Sequence, residues 1–316
     1  MENSETKNTS IETPKKRKIN LKAVLIYTIT GTLLIASGVV TGIILKRQFG
    51  TTEIDYSGFN PENYRMDSAE LLKQYQKNPN KNFTPAELVN IGLEKYRQCE
   101  NCYSIGIGTA STIVNQTIRN AQIKVGDHYF EESISYSKMV NVANRVDQVG
   151  EDHDISLNKG KANSSEDVTY KSEVTTFKAE DYKKAWGKTL DEMFIYIISN
   201  ETVIADQSKI EKSNDEIKVT LTLDTIISPY YYKLQMREIS KLDSLPTFQS
   251  LKQEYTFTKD MDLKMCFVDE KYKAQMGVVA DIHNTITYYY HPNEVMSIPK
   301  ENETIDYSIE GENQHE

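Results

Sequence analysis

Residues 272–290 read YKAQMGVVADIHNTITYYY, and this stretch decides the fold. Its even positions carry Tyr272, Ala274, Met276, Val278, Ala280, Ile282, Asn284, Ile286, Tyr288 and Tyr290. The odd positions are mostly polar, among them Lys273, Gln275, Asp281, His283, Thr285 and Thr287. Alternate side chains of a strand point to opposite faces, so the stretch predicts one β-strand with an apolar face. It far exceeds the roughly five or six residues of a typical strand and therefore has to bend, for which Gly277 is the natural place. One apolar and one polar face is the pattern of an antiparallel sheet covered on one side. The apolar set Tyr272, Met276, Val278, Ile282, Ile286, Tyr288 and Tyr290 is the expected ligand-facing surface.

The preceding segment predicts a hairpin of 248–258 with 261–269 across Lys259-Asp260, Tyr255 and Phe257 facing Leu263, Met265 and Phe267. Further upstream, 203–210 and 219–223 form a second hairpin around Ser213-Asn214-Asp215-Glu216, and Ser228-Pro229 opens a helix that Pro246 closes off. Strands are expected near 103–109, 112–125, 128–142 and 168–178, with a mobile acidic loop at 147–167 and a helix near 180–193. Thr84-Pro85-Ala86-Glu87 combines an N-cap Thr, Pro at the first helical position and Glu at the third. That combination starts a helix, and Leu88, Val89, Leu93 and Tyr96 continue it as an apolar stripe. The sum is an α+β domain over 84–298, with about ten mainly antiparallel strands in a long curved sheet and about three helices. A juxtamembrane stalk (46–83) precedes it and a disordered acidic tail (299–316) follows.

The helix at 84–98 leading into strands, the run from Tyr255 to Lys264 and the long 272–290 strand together resemble the half-barrel of periplasmic lipoprotein carriers and mycobacterial lipid-binding lipoproteins. The resemblance is one of pattern, covers most of 84–292, and transfers no functional residue. It implies a concave apolar face that holds acyl chains or a lipidated partner. Those proteins are soluble or lipid-anchored, and here the chain departs from them.

Ala23 to Leu45 is a run without a charged side chain, long enough as a helix to cross the roughly 30 Å hydrocarbon core of a bilayer. It is too long for the apolar region of a cleaved signal peptide and closes with Lys46-Arg47. A single retained transmembrane helix is therefore expected. Lys15, Lys16, Arg17, Lys18 and Lys22 in the basic tail (1–22) place the N-terminus in the cytoplasm and the rest of the chain outside it. Gly38-Val39-Val40-Thr41-Gly42 offers a small-xxx-small contact for a homodimer. Of the 37 basic and 46 acidic residues, eight and three lie in 1–47, leaving 29 against 43 outside, a net charge of −14. Such a surface repels nucleic acid.

Three cysteines are too few for a disulfide scaffold. Cys99-Glu100-Asn101-Cys102 sits at the C-terminal end of a helix, where the dipole does not activate a thiol, so a local disulfide or two idle thiols are expected in place of redox chemistry. Asp281 and His283 on one strand face, with His291 further along, have the chemistry to seed a metal site. An exposed polar face accounts for them equally, as a solvated loop does for Glu151-Asp152-His153-Asp154, so no metal or cofactor is assigned. No nucleophile elbow, zinc-protease, phosphate-loop, dinucleotide or EF-hand pattern occurs. Twenty Tyr against nine Phe suits a cleft rim or interface as well as half-buried sheet positions. The expected function is a non-catalytic extracytoplasmic binding protein for a lipidic ligand or lipidated partner. A scaffold subunit of an envelope machine, with tandem helix-plus-sheet units at 84–178 and 229–291, is the alternative.

Overall fold

Thr84 caps its helix as its sequence predicts, accepting from the Glu87 amide while the Glu87 carboxylate accepts from the Thr84 amide. A computed structural model describes residues 56–307, apart from 151–152, 187, 191, 241, 275–277, 291–297, 301–302, 304 and 306. Four helices occur among the described residues: α1 (Ser68–Lys77), α2 (Pro85–Arg97), α3 (Ala179–Trp186) and α4 (Tyr230–Ser240). Eleven strands follow in chain order: β1 (Asn101–Ser111), β2 (Asn115–Val125), β3 (His128–Tyr136), β4 (Asn141–Val149), β5 (Ile155–Ala162), β6 (Val168–Phe177), β7 (Lys209–Lys212), β8 (Glu216–Thr222), β9 (Thr247–Thr258), β10 (Leu263–Lys273) and β11 (Val279–Tyr290).

All eleven strands join one sheet in the order β6-β5-β4-β3-β2-β1-β11-β10-β9-β8-β7. Every pairing is antiparallel. Two meanders, β1–β6 and β7–β11, are sewn together where β1 pairs with β11 from Cys102↔Tyr290 to Ser111↔Asp281. This corrects the expectation of an α+β domain headed by a transmembrane helix. The fold is predominantly a single long antiparallel sheet carrying a few short helices, and no described helix is long and apolar enough to cross a membrane. Residues 23–45 lie outside the described residues, as does the Gly38–Gly42 contact.

The single strand expected over 272–290 is a hairpin. β10 ends at Lys273 and β11 begins at Val279, with the Ala274 amide donating to the Val278 carbonyl. Lys273 pairs with Val279, Tyr272 with Ala280 and Glu270 with Ile282. Partners share parity because the connection is an odd number of residues, so the alternation passes through the turn unbroken and mimics one strand. A bulge between Leu263 and Met265 shifts the expected inward set of β10. Cys266, Val268, Glu270 and Tyr272 point into the core, while Phe267 is 36 % exposed on the other side.

The span 147–167, expected as a loop, holds the end of β4 and all of β5. Ile155 and Leu157 are buried there, but β4 alternates polar side chains on both faces and so lacks the apolar signal of a strand. The helix expected near 180–193 ends at Trp186, and irregular chain carries Leu190 and Met193 into the core. The segment expected as a stalk contributes Leu71, Leu72 and Phe83 to the same core as α2.

One face of the sheet lies under the helices. There α2 crosses β9 at Gly92, where a Cβ would overlap the Phe257 ring. On the opposite face of β1–β4 a second apolar cluster, including Tyr103, Ile123, Phe130 and Ile134, is covered by Ile305 and Tyr307. Tyr307 also donates to Glu132 (3.0 Å), so described residues of the expected disordered tail are anchored to the sheet.

A cleft between the helices and the sheet

The apolar strand face expected to meet a ligand is occupied by the protein itself. Tyr272, Ile282 and Tyr288 are buried in the main core, and Ile286 and Tyr290 pack at its margin. Tyr288 and Tyr290 both meet Tyr96 of α2 edge-on, at 5.0 and 5.3 Å between ring centroids. Val278 sits half-buried in the β10–β11 turn, and Met276 lies outside the described residues. Cys99 and Cys102 are free, buried thiols. Cys99 Sγ donates to the Asn101 carbonyl (3.1 Å), and burial pushes the Cys102 thiol up to about 12, which leaves it protonated and unreactive at neutral pH.

Open space occurs instead at the seam between the helical layer and the sheet, as a cleft of about 640 Å³. Such a volume is in the range of small-molecule sites. One wall is the start of α1 with Met66 and Ala69, and a second is α2 with Asn90, Leu93 and Arg97. The segment 189–198 forms the third, contributing Glu192, Phe194, Ile195 and Ile198, and Ile155 and Lys183 close the far side.

Among its described residues that third wall has no regular secondary structure, and specific polar contacts hold it. Lys188, 1 % exposed, reaches Glu131 Oε1 of β3 at 2.8 Å. Gln122 of β2 donates both to the same oxygen (3.0 Å) and to the Met193 carbonyl (3.1 Å). At the other end, Asn90 of α2 donates to the Ile198 carbonyl (2.8 Å). A buried lysine is tolerable only when paired in this way.

The rim is charged. Arg65 bridges to Glu192 Oε1 (3.2 Å) and lies over the Tyr231 ring, and Arg97 clasps Glu94 through two bonds of 2.8 and 2.7 Å. Lys183 is exposed and makes no ion pair among the described residues. Glu192 Oε2, by contrast, is buried with no hydrogen-bond partner, an acceptor left open in a lining residue.

Behind the cleft, Tyr196 presents its ring to the space and its hydroxyl to the interior, donating to Glu270 Oε2 (2.6 Å). The Tyr232 hydroxyl donates to Glu270 Oε1 (3.1 Å). Glu270 is fully buried. Burial pushes its carboxyl up to about 7, while the two tyrosine hydroxyls oppose that rise. Sequence reasoning missed Glu270 because a carboxylate is not expected at a core position, although it shares the inner face of β10 with Tyr272. It missed Arg65 and Glu192 because they stand far apart in the chain.

No protein-family model matches the chain, and no curated protein matches it.

Proposed function

We propose that the chain is a non-catalytic extracytoplasmic binding protein, held at the membrane by residues 23–45 with its N-terminus inside, whose ligand is an amphiphile seated in the cleft between helices and sheet. The apolar strand face is filled by protein, so the ligand enters at the seam. Leu93, Phe194, Ile195 and Ile198 offer an apolar wall to an acyl or similar chain, and the rim of Arg65, Arg97, Lys183 and Glu192 meets a polar head. The observation that carries the reading is the buried, unpartnered Glu192 Oε2 in a cleft whose walls combine apolar Leu93, Phe194, Ile195 and Ile198 with polar Asn90, Arg97 and Lys183. A head group with a hydroxyl or ammonium donor satisfies it and removes the cost of a buried acceptor, about 1–3 kcal/mol. The scaffold alternative rests on two separate helix-plus-sheet units, and one continuous sheet lends it no support.

Native mass spectrometry of the full chain, extracted from its own host in mild detergent, tests the proposal. The expected result is a bound amphiphile in the natural protein that is absent from Ala69→Trp, which fills the cleft from its α1 wall without touching the core. A clean apo mass for the natural protein, or an adduct that persists in Ala69→Trp, overturns it.

A further inference from the structure

On the face of the sheet opposite the cleft, β10 and β11 bring together Asp269, Asp281 and His283. Asp269 and His283 are direct cross-strand partners, and Asp281 lies two residues along β11 on the same face. Asp269 Oδ1 is 3.6 Å from His283 Nδ1, and Asp281 Oδ1 is 3.5 Å from His283 Nε2. One donor atom from each of the three lies within 4.8 Å of the others.

We propose that these three side chains form a divalent-cation site, independent of the cleft. Coordination bonds of about 2.0–2.2 Å to imidazole nitrogen and carboxylate oxygen set ligand atoms about 3.4 Å apart in a tetrahedron, so closure needs movements of about 1 Å. The side chains can supply these: Asp269, Asp281 and His283 are 41, 40 and 49 % exposed. The backbone beneath them does not have to move, because β10 and β11 sit inside the sheet between β9 and β1. The position beside His283 on β1 is Thr109 and that beside Asp281 is Ser111. Both are small and neutral, which leaves room over the face for water or a substrate oxygen to complete the shell.

Two carboxylates and one neutral imidazole present a charge of −2, matched to a divalent ion. Oxygen donors with a single imidazole suit zinc, manganese, iron(II) or cobalt(II) and disfavour copper(I), which prefers sulfur. Lys271, with its ammonium 3.7 Å from Asp281 Oδ2, competes with the cation for that carboxylate. The other histidine–carboxylate pair, His128 with Asp147 (3.1 Å), has no third ligand in the same cluster among the described residues.

The test uses the metal-free, detergent-solubilised full chain without a histidine tag, titrated with cobalt(II) by visible absorption and with zinc by calorimetry. The expected result is saturable binding of one ion per chain, weakened about tenfold or more in His283→Ala and Asp269→Asn. His128→Ala leaves the affinity unchanged, and Lys271→Ala tightens it. All four positions are on the surface, and matching melting curves establish that the variants are folded. Absence of saturable binding, or binding that His283→Ala leaves intact, overturns the site and leaves His283 as a surface side chain lying between two carboxylates with no ion.

Discussion

Replacing Glu270 by glutamine changes the sign of its effect between acid and mildly alkaline pH. The carboxyl is fully buried and its pKa is raised from its ordinary 4.5 to about 7, chiefly by burial. The folded chain therefore binds this proton more tightly than the unfolded chain. The resulting stabilisation is fully present below about pH 4.5 and is lost as pH rises through about 7. At about 1.4 kcal/mol per pH unit, the shift amounts to about 3 kcal/mol. An amide at this position carries no charge at any pH and so avoids this loss. Against that gain, it has a single acceptor oxygen for the two tyrosine hydroxyls that now serve Glu270, a deficit of about 1 kcal/mol. Glu270→Gln is thus expected to be about 1 kcal/mol less stable than the natural protein near pH 3.5 and about 2 kcal/mol more stable at pH 8. Urea denaturation of the full chain in mild detergent at both pH values, read as the difference between the two proteins, isolates this group from all other titrations. A variant equally destabilised at both values refutes the argument, because it leaves no proton linkage at Glu270.

Other outcomes follow from the same kind of accounting. Glu132 is 1 % exposed and accepts from Arg145 Nε (2.7 Å), Tyr170 (2.6 Å) and Tyr307 (3.0 Å). Tyr307→Phe removes one donor and costs about 1–2 kcal/mol, whereas Arg145→Met strands a buried carboxylate and costs about 3–5 kcal/mol. Chemical denaturation ranks the two, and limited proteolysis shows both releasing the C-terminal segment. Cys99, Cys102 and Cys266 are all buried, so a thiol reagent modifies none of them at pH 7.5 until denaturant unfolds the chain. Rapid native labelling of Cys102 contradicts the packing of Tyr96 over it.

The α2 helix was legible because its start signals are local. Thr84 and Glu87 find each other within one turn, whatever the rest of the chain does. The 272–290 alternation was legible as strand but not as hairpin, since an odd connection preserves parity and hides the turn from any count of faces. β4 stayed hidden because Asn144, Arg145 and Gln148 are buried polar residues; Arg145 finds Glu132 on β3 and the Lys300 carbonyl of the C-terminal segment, and Gln148 finds the His153 carbonyl. The cleft was not legible at all: its charged rim joins Arg65 to Glu192, and its walls come from several separate segments. Asp269 could have been found, because once Lys273 is paired with Val279 the register sets Asp269 opposite His283.

The pairing of β1 with β11 also orders events in time. Within each meander, neighbouring strands are close in sequence and can pair as they emerge, but the seam joins residues 101–111 to 281–290. Closing so long an interval is slow compared with forming a local hairpin. As the chain emerges during synthesis, the first meander stands complete but for one open border along β1. That border is a template for any stray extended segment, so the newborn protein is most vulnerable between the arrival of Phe177 and that of Tyr290.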